Sequence, residues 1–197
     1  MNQPQTLLFA SNNRHKAAEI EQILGEIYRI QTLEDAGINI TIPEPHDSFH
    51  QNAFEKSSTI TRITGKNCFS EDSGLEVRAL GGEPGVRSAR YAHDNATDEE
   101  NIQHLLKKLS GNTLRIAQFK TVISLQFNGE SHFFEGSCLG KILESPRGNQ
   151  GFGYDPIFVP DGDNRSFGEM TMEEKSKFSH RKKAVELLVT FLQNQCN

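Results

Sequence analysis

The chain has 197 residues, 35% of them hydrophobic, and a formal net charge of −5. A chain of this length buries roughly 70% of its unfolded surface, so neither a disulfide framework nor a structural metal is needed for stability. The acidic balance excludes a general attraction to nucleic acid or to anionic membranes, and any polyanion site must be local and served by a cation.

Residues 6–10 (TLLFA) form a short apolar run that predicts a buried strand. The turn Ser11-Asn-Asn13 follows. The spacing of Ala17, Ile20, Ile23 and Leu24 then predicts a helix over residues 14–24, stopped by Gly25. Residues 27–32 predict a second strand, so the chain opens as a strand–helix–strand unit. A loop with Pro43 and Pro45 leads into a helix from about residue 48 to residue 65. Residues 67–72 predict a short strand ending in two acids, with residues 75–80 as a separate strand beside it. Residues 81–92 (GGEPGVRSARYA) are too rich in Gly and Pro for a regular element.

Thr97-Asp-Glu-Glu100 is a capping box for a helix reaching about residue 109, with Gly111 as its stop. Residues 115–128 and 131–143 predict strands joined at Asn128-Gly129, a hairpin signal. A glycine-rich loop over 147–153 precedes Asp155-Pro156 and a short strand at 157–159. The last helix starts near Ser179 with Ala184, Leu187, Leu188, Phe191 and Leu192 at helical spacing. This order, with one hairpin interrupting the alternation, predicts a single α/β domain over 1–197 with a mixed sheet and no linker.

No run of 18 apolar residues occurs, so no membrane span is expected. The start, MNQPQTLLFASNN, has neither the basic region nor the apolar length of a signal peptide. The three cysteines, Cys68, Cys138 and Cys196, include no CxxC pair and read as reduced thiols of a cytoplasmic protein. Two phosphate-loop readings fail. Gly136-Ser-Cys-Leu-Gly-Lys141 is one residue short of a Walker loop and sits within a strand, and residues 148–153 (GNQGFG) lack the dinucleotide fingerprint and its strand-to-helix setting.

Several groupings could carry chemistry. Ser11, Asn13 and Lys16 lie between a strand and a helix, where free N–H groups favour an anion; the same residues also serve as ordinary helix caps. Glu71 and Asp72, before a glycine turn, suit a hard cation such as magnesium or an activated water, with Glu44 as a further oxygen ligand; a plain polar turn is the other reading. In Gly151-Phe-Gly-Tyr-Asp-Pro156, an aromatic between glycines offers its face to a planar base, or packs into a core turn. In Lys175-Ser-Lys-Phe-Ser-His-Arg181, Ser179 caps the last helix with His180 and Arg181 in its first turn, where a cationic arginine opposes the helix dipole and a ligand role gains weight. Arg87 and Arg90 are phosphate or interface candidates, or surface loop charges.

The stretches FASNNRHKAAEI, IPEP, FHQNAFEK, EDSGLEVRALGGEPGVRSARYA, GFGYDPIFVP and EEKSKFSHRKKA, in this order over nearly the whole chain, resemble the inosine triphosphate pyrophosphatase family. The resemblance implies an elongated two-lobed α/β fold, a long mixed sheet flanked by helices, and an active-site cleft between the lobes. It implies a magnesium-dependent homodimer that hydrolyses ITP, dITP and XTP to the monophosphate and pyrophosphate. By motif matching, Ser11, Asn12, Asn13, Arg14, His15 and Lys16 fall on the triphosphate segment, and Lys56 matches a basic residue aimed at phosphates. Glu44 and Asp72 match the metal residues, with Asp72 also the general base and Ser73 a substrate contact. The resemblance also implies that Phe152 stacks on the base beside Gly153, Tyr154 and Asp155, and that Lys175, His180 and Arg181 match the base-recognition end. Gln51 stands where an acid is common in bacterial members, Glu71 where Asp is frequent and Ser11 where Thr is common. The rival readings are a pyrophosphatase for modified pyrimidine triphosphates, a non-catalytic nucleotide-binding protein and a nucleic-acid-binding module.

Overall fold

A computed structural model describes residues 5–24 and 28–195. Gly25, Ile27 and Cys196, each given a role above, lie outside the described residues. The elements are β1 (Gln5–Phe9), α1 (Arg14–Leu24), β2 (Tyr28–Gln31), α2 (Phe49–Thr64), β3 (Cys68–Val77), α3 (Asp98–Lys108), β4 (Ile116–Phe127), β5 (Glu130–Ile142), β6 (Phe158–Pro160), α4 (Met172–Ser176) and α5 (His180–Gln195). Among the described residues the strands form one sheet in the order β2-β1-β3-β4-β5-β6. β1 is parallel to β2 and to β3, whereas β6 is antiparallel to β5. The α/β class with a mixed sheet is as the sequence predicts. No described helix is long and apolar enough to cross a membrane.

The chain forms two compact units. One comprises Met1–Asp72, Thr121–Gly136 and Arg181–Asn197; the other comprises Ser73–Lys120 and Ser137–His180. In the first unit, strand alternation splits the apolar side chains between two faces. Phe9 and Phe69 stack at 4.8 Å and pack with Ile20, Leu24, Ala184 and Leu188 from α1 and α5. Their strand neighbours Leu8 and Cys68 face the other way, towards Ile60 of α2. Burial pushes the Cys68 thiol up to about 12, so it stays protonated at neutral pH. The second unit is built around Leu75, Val77, Leu105, Phe119, Phe158 and Phe167.

Four expectations are corrected. Residues 68–77 are one strand, not two separated by a turn. Gly74 does not turn the chain. It lets backbone approach: a Cβ there would lie 2.3 Å from the Gly85 carbonyl oxygen and 2.5 Å from Ser88 Oγ. Gly74→Ala is therefore expected to lower stability by about 3 kcal/mol, read from the urea midpoint. Second, the GGEPGVRSARYA segment is not wholly irregular: Gly85–Arg90 is a 3₁₀ helix, and the Ser88 hydroxyl donates to Gly85 O while accepting from Leu75 N. Third, Leu187 is 51% exposed, and the buried face of α5 runs through Ala184, Val185, Leu188 and Leu192. Fourth, α4 was not foreseen, although Thr171 and Glu174 form a capping box that the sequence displays. The hairpin is as predicted: Asn128 and Gly129 both have positive φ, 51° and 88°, as a two-residue turn requires.

Candidate active site

In the first unit the chain leaves β1 through Ser11 and enters α1 with Asn13 as its cap. Asn13 Oδ1 accepts from Lys16 N at 3.0 Å, and Ser11 Oγ accepts from Asn13 N. The capping reading of these residues thus holds, and it fixes Lys16 on the first helical turn. Asn12 Oδ1 accepts from Glu34 N, while Arg14 turns to Glu34 and Asp35 at the surface. His15 is exposed.

Strand alternation decides what the two acids of β3 do. Asp72 shares the α2 face with Ser70, whose hydroxyl donates to Ala53 O; Glu71 points to the opposite face, with Phe69. Glu71 and Asp72 are therefore not one pair of ligands for one ion, as their adjacency suggested.

Asp72 is buried opposite Lys56, whose Nζ lies 3.5 Å from Asp72 Oδ1 and 2.5 Å from Glu44 Oε1. Two carboxylates thus converge on one cation. Burial raises the Asp72 carboxyl above its ordinary range, Lys56 and Lys16 oppose the rise, and the charge on Glu44 adds to it. Asn52, completely buried, organises this face. Its Nδ2 donates to Asp72 Oδ2 at 3.2 Å and to His46 O, and its Oδ1 accepts from His46 N. These partners determine which way the amide points. They also tie the loop carrying Glu44 to the carboxylate of Asp72.

The two carboxylates offer a hard, oxygen-only donor set, and among the described residues no third His, Cys, Asp or Glu joins them. That fits magnesium, which takes one or two carboxylates and keeps water or substrate phosphate oxygens for the rest.

On the other β3 face, Arg181 is buried against Glu71 and Glu19. Its Nε donates to Glu71 Oε2 at 2.8 Å and its Nη2 to Glu71 Oε1 at 2.9 Å, while Nη1 bonds Glu19. Lys16 Nζ lies 3.0 Å from the same Glu71 Oε1. Full burial by itself pushes the Glu71 carboxyl up, but Arg181 and Lys16 hold it well below the carboxylate range.

In the second unit, Asp155 Oδ2 accepts from Phe152 N at 2.9 Å and from Lys175 Nζ at 2.7 Å. Gly151 has φ 77°, and a Cβ there would strike Asp155 Oδ2, so this loop needs glycine. Lys175 Nζ sits 5.1 Å from the Phe152 ring centroid and fixes that half-exposed ring from one side. Gly153 N donates to Asp98. Tyr154 is buried in the core with its hydroxyl donating to Ser88 O. His180 stacks on Phe119 at 4.9 Å. Ser73, the first residue of this unit, is half-buried.

The Ham1 family model matches residues 7–191. This chain belongs to the Ham1 family. It is 46% identical over 188 residues to the dITP/XTP pyrophosphatase of Flavobacterium psychrophilum, covering 95% of this chain and 99% of that one. The dITP/XTP pyrophosphatase of Porphyromonas gingivalis is 44% identical over 95% of this chain and 97% of its own length. Among solved structures, the Staphylococcus aureus Ham1 protein superposes with a TM-score of 0.88 at 38% identity, covering 97% of this chain and all of that one.

Within this Ham1 chain, sequence reasoning missed Asn52 and Glu19. Both had a signal. Asn52 stands four residues before Lys56 and so shares its helix face, and Glu19 stands three after Lys16, beside the buried Ile20. Asn52→Ala is expected to lower kcat about tenfold and stability by about 1–3 kcal/mol, because Asp72 and the His46 backbone both lose buried partners. Steady-state kinetics and urea unfolding read the two effects.

Proposed function

We propose that this chain is a magnesium-dependent pyrophosphatase that hydrolyses noncanonical purine nucleoside triphosphates (ITP, dITP and XTP) to the nucleoside monophosphate and pyrophosphate. The observation that carries the reading is the convergence of Glu44, Lys56 and Asp72, two carboxylates and an ammonium held in place by Asn52. The Flavobacterium and Porphyromonas relatives, both dITP/XTP pyrophosphatases by name, support the substrate class.

Phosphoryl transfer needs positioning and charge neutralisation more than covalent help from the protein. Water attacks the α-phosphorus, its proton passes to Asp72, and the bond from the α-phosphorus to the bridging oxygen breaks to release pyrophosphate. The buried position of Asp72, opposite Lys56 and oriented by Asn52, places a carboxylate oxygen to accept that proton. Glu44 and Asp72 would hold magnesium, which would supply polarisation of phosphate oxygens and water. Lys16 and Lys56 offset charge on the leaving pyrophosphate, and the capped turn of Ser11–Lys16 supplies N–H donors to the phosphates.

Base recognition falls to Phe152 as the stacking ring, supported by Gly153, Tyr154, Asp155 and Lys175, with Ser73 and His180; Arg181, whose guanidinium is bonded to Glu71 and Glu19, would act on the base only by exchanging one of those partners. Donors aimed at a 6-oxo group leave the amino group of adenine unsatisfied, a cost of about 1–3 kcal/mol. A homodimer and a cytoplasmic location belong to the same proposal. The net charge of −5 supports the absence of nucleic acid as a partner.

The test is a panel of ITP, dITP, XTP, ATP, GTP and modified pyrimidine triphosphates, with and without magnesium, read by pyrophosphate release. Magnesium-dependent release from the first three, well above the others, is the expected result. Binding without release, or a preference for the pyrimidines, overturns the reading.

A further inference from the structure

Glu71 is an unexpected neighbour for Lys16. It is fully buried, and one oxygen, Oε1, serves two cations: Lys16 Nζ at 3.0 Å and Arg181 Nη2 at 2.9 Å. Its other oxygen is taken by Arg181 Nε, and Arg181 reaches on to Glu19. The formal charges of Lys16, Arg181, Glu71 and Glu19 cancel. Lys16 is the one member of this quartet at the mouth of the cluster, its side chain 16% exposed, against 10% or less for the others.

We propose that Glu71 is a positioning residue that holds Lys16 in place and partly neutralises it, so that pyrophosphate binds weakly enough to leave. The proposal rests on the reading of Lys16 as a phosphate-binding residue. A phosphate oxygen and Glu71 Oε1 compete for the same ammonium. Arg181 makes the competition unequal by anchoring the carboxylate from behind, so Glu71 cannot swing away when the polyanion arrives. Lys16 then meets the phosphates with its position set beforehand and its charge already partly answered. A lysine with no such partner would grip substrate and product more tightly alike, which does not speed the chemical step and slows departure.

The test measures pyrophosphate binding by titration calorimetry in magnesium buffer, for the wild type, Glu71→Gln and Glu19→Gln. Loss of the competing charge at close range should tighten pyrophosphate about tenfold in Glu71→Gln. In turnover, kcat and KM should fall together, with stronger product inhibition. Glu19→Gln, which removes a charge paired with Arg181 behind Glu71, should tighten pyrophosphate far less than Glu71→Gln does. A merely structural role for Glu71 predicts weaker binding, so the direction of change separates the two accounts. Unchanged or weaker binding in folded Glu71→Gln overturns the proposal. Should that variant not fold, Glu71→Asp carries the same test. Its arm is one methylene shorter and stays with Arg181, so pyrophosphate tightens in the same direction by about two- to threefold, and unchanged binding again overturns the proposal. Failure of the wild type to bind pyrophosphate or release it from any triphosphate overturns the proposed function instead.

Discussion

Asp72→Asn is expected to lower kcat by at least about 10³-fold while leaving the protein as stable as the wild type, or more so. The kinetic part follows from hydrogen-bond polarity. Asn52 Nδ2 donates to Asp72 Oδ2, so an amide at position 72 must turn its oxygen to Asn52 and its NH2 towards Lys56. The group that faced the cation as an acceptor then faces it as a donor. It accepts no proton from water and binds no metal. The stability part follows from burial, which already disfavours the charged carboxylate. A neutral amide carries no such penalty at neutral pH. Triphosphate binding, measured by calorimetry, should survive because Lys16 and the capped turn are intact. Near-normal turnover in this variant would remove Asp72 from the role of base.

Arg181→Ala should produce the larger loss of stability, about 3–5 kcal/mol at neutral pH, because it leaves Glu71 and Glu19 buried without their shared partner. The pH dependence has a definite sign. In the wild type the folded-state affinity of Glu71 for protons is depressed, so its contribution is full above the ordinary value of 4.5 and is lost as pH falls towards the depressed value. In the variant, burial prevails over the remaining attraction, and protonation on acidification relieves the strain of the unpaired charge. The gap between variant and wild type should therefore narrow as pH falls from 7.5 to 5, measured as urea midpoints. A gap that stays constant over that range would show that lost packing, and not charge, is responsible. The effect of this substitution on the ratio of ITP to ATP turnover has to be read well below its unfolding temperature. An unchanged ratio there moves base reading to other residues.

The residues of the site were largely legible before the structure, but their grouping was not. Periodicity gave α1 its bounds because Ala17, Ile20 and Leu24 all face one core. The hairpin was legible because only residues tolerant of positive φ suit its turn. What misled was Gly74. In a sequence, Gly after two acids reads as a turn, and its true purpose, room for the Gly85 carbonyl, involves a contact eleven residues away in the chain. That misreading shortened β3 and left the alternation across Glu71 and Asp72 unnoticed. Arg181 shows the same limit. Its conflict with the helix dipole pointed to a strong partner, but nothing local revealed that the partners are Glu71 and Glu19, 110 and 162 positions away. Asn52 was overlooked because its work is done for two other residues.

The unbroken course of β3 also bears on how this chain can change length. Residue count along the strand acts as a reading frame. A single insertion or deletion between Cys68 and Glu71, with the pairing of the strand start kept, would exchange the faces of the two acids, setting Glu71 against Lys56 and Asp72 against Arg181. No compensating point substitution restores both arrangements. Insertions and deletions that leave both sites assembled must therefore lie outside this stretch and outside the loop that carries Glu44, in segments such as the turn of the β4–β5 hairpin.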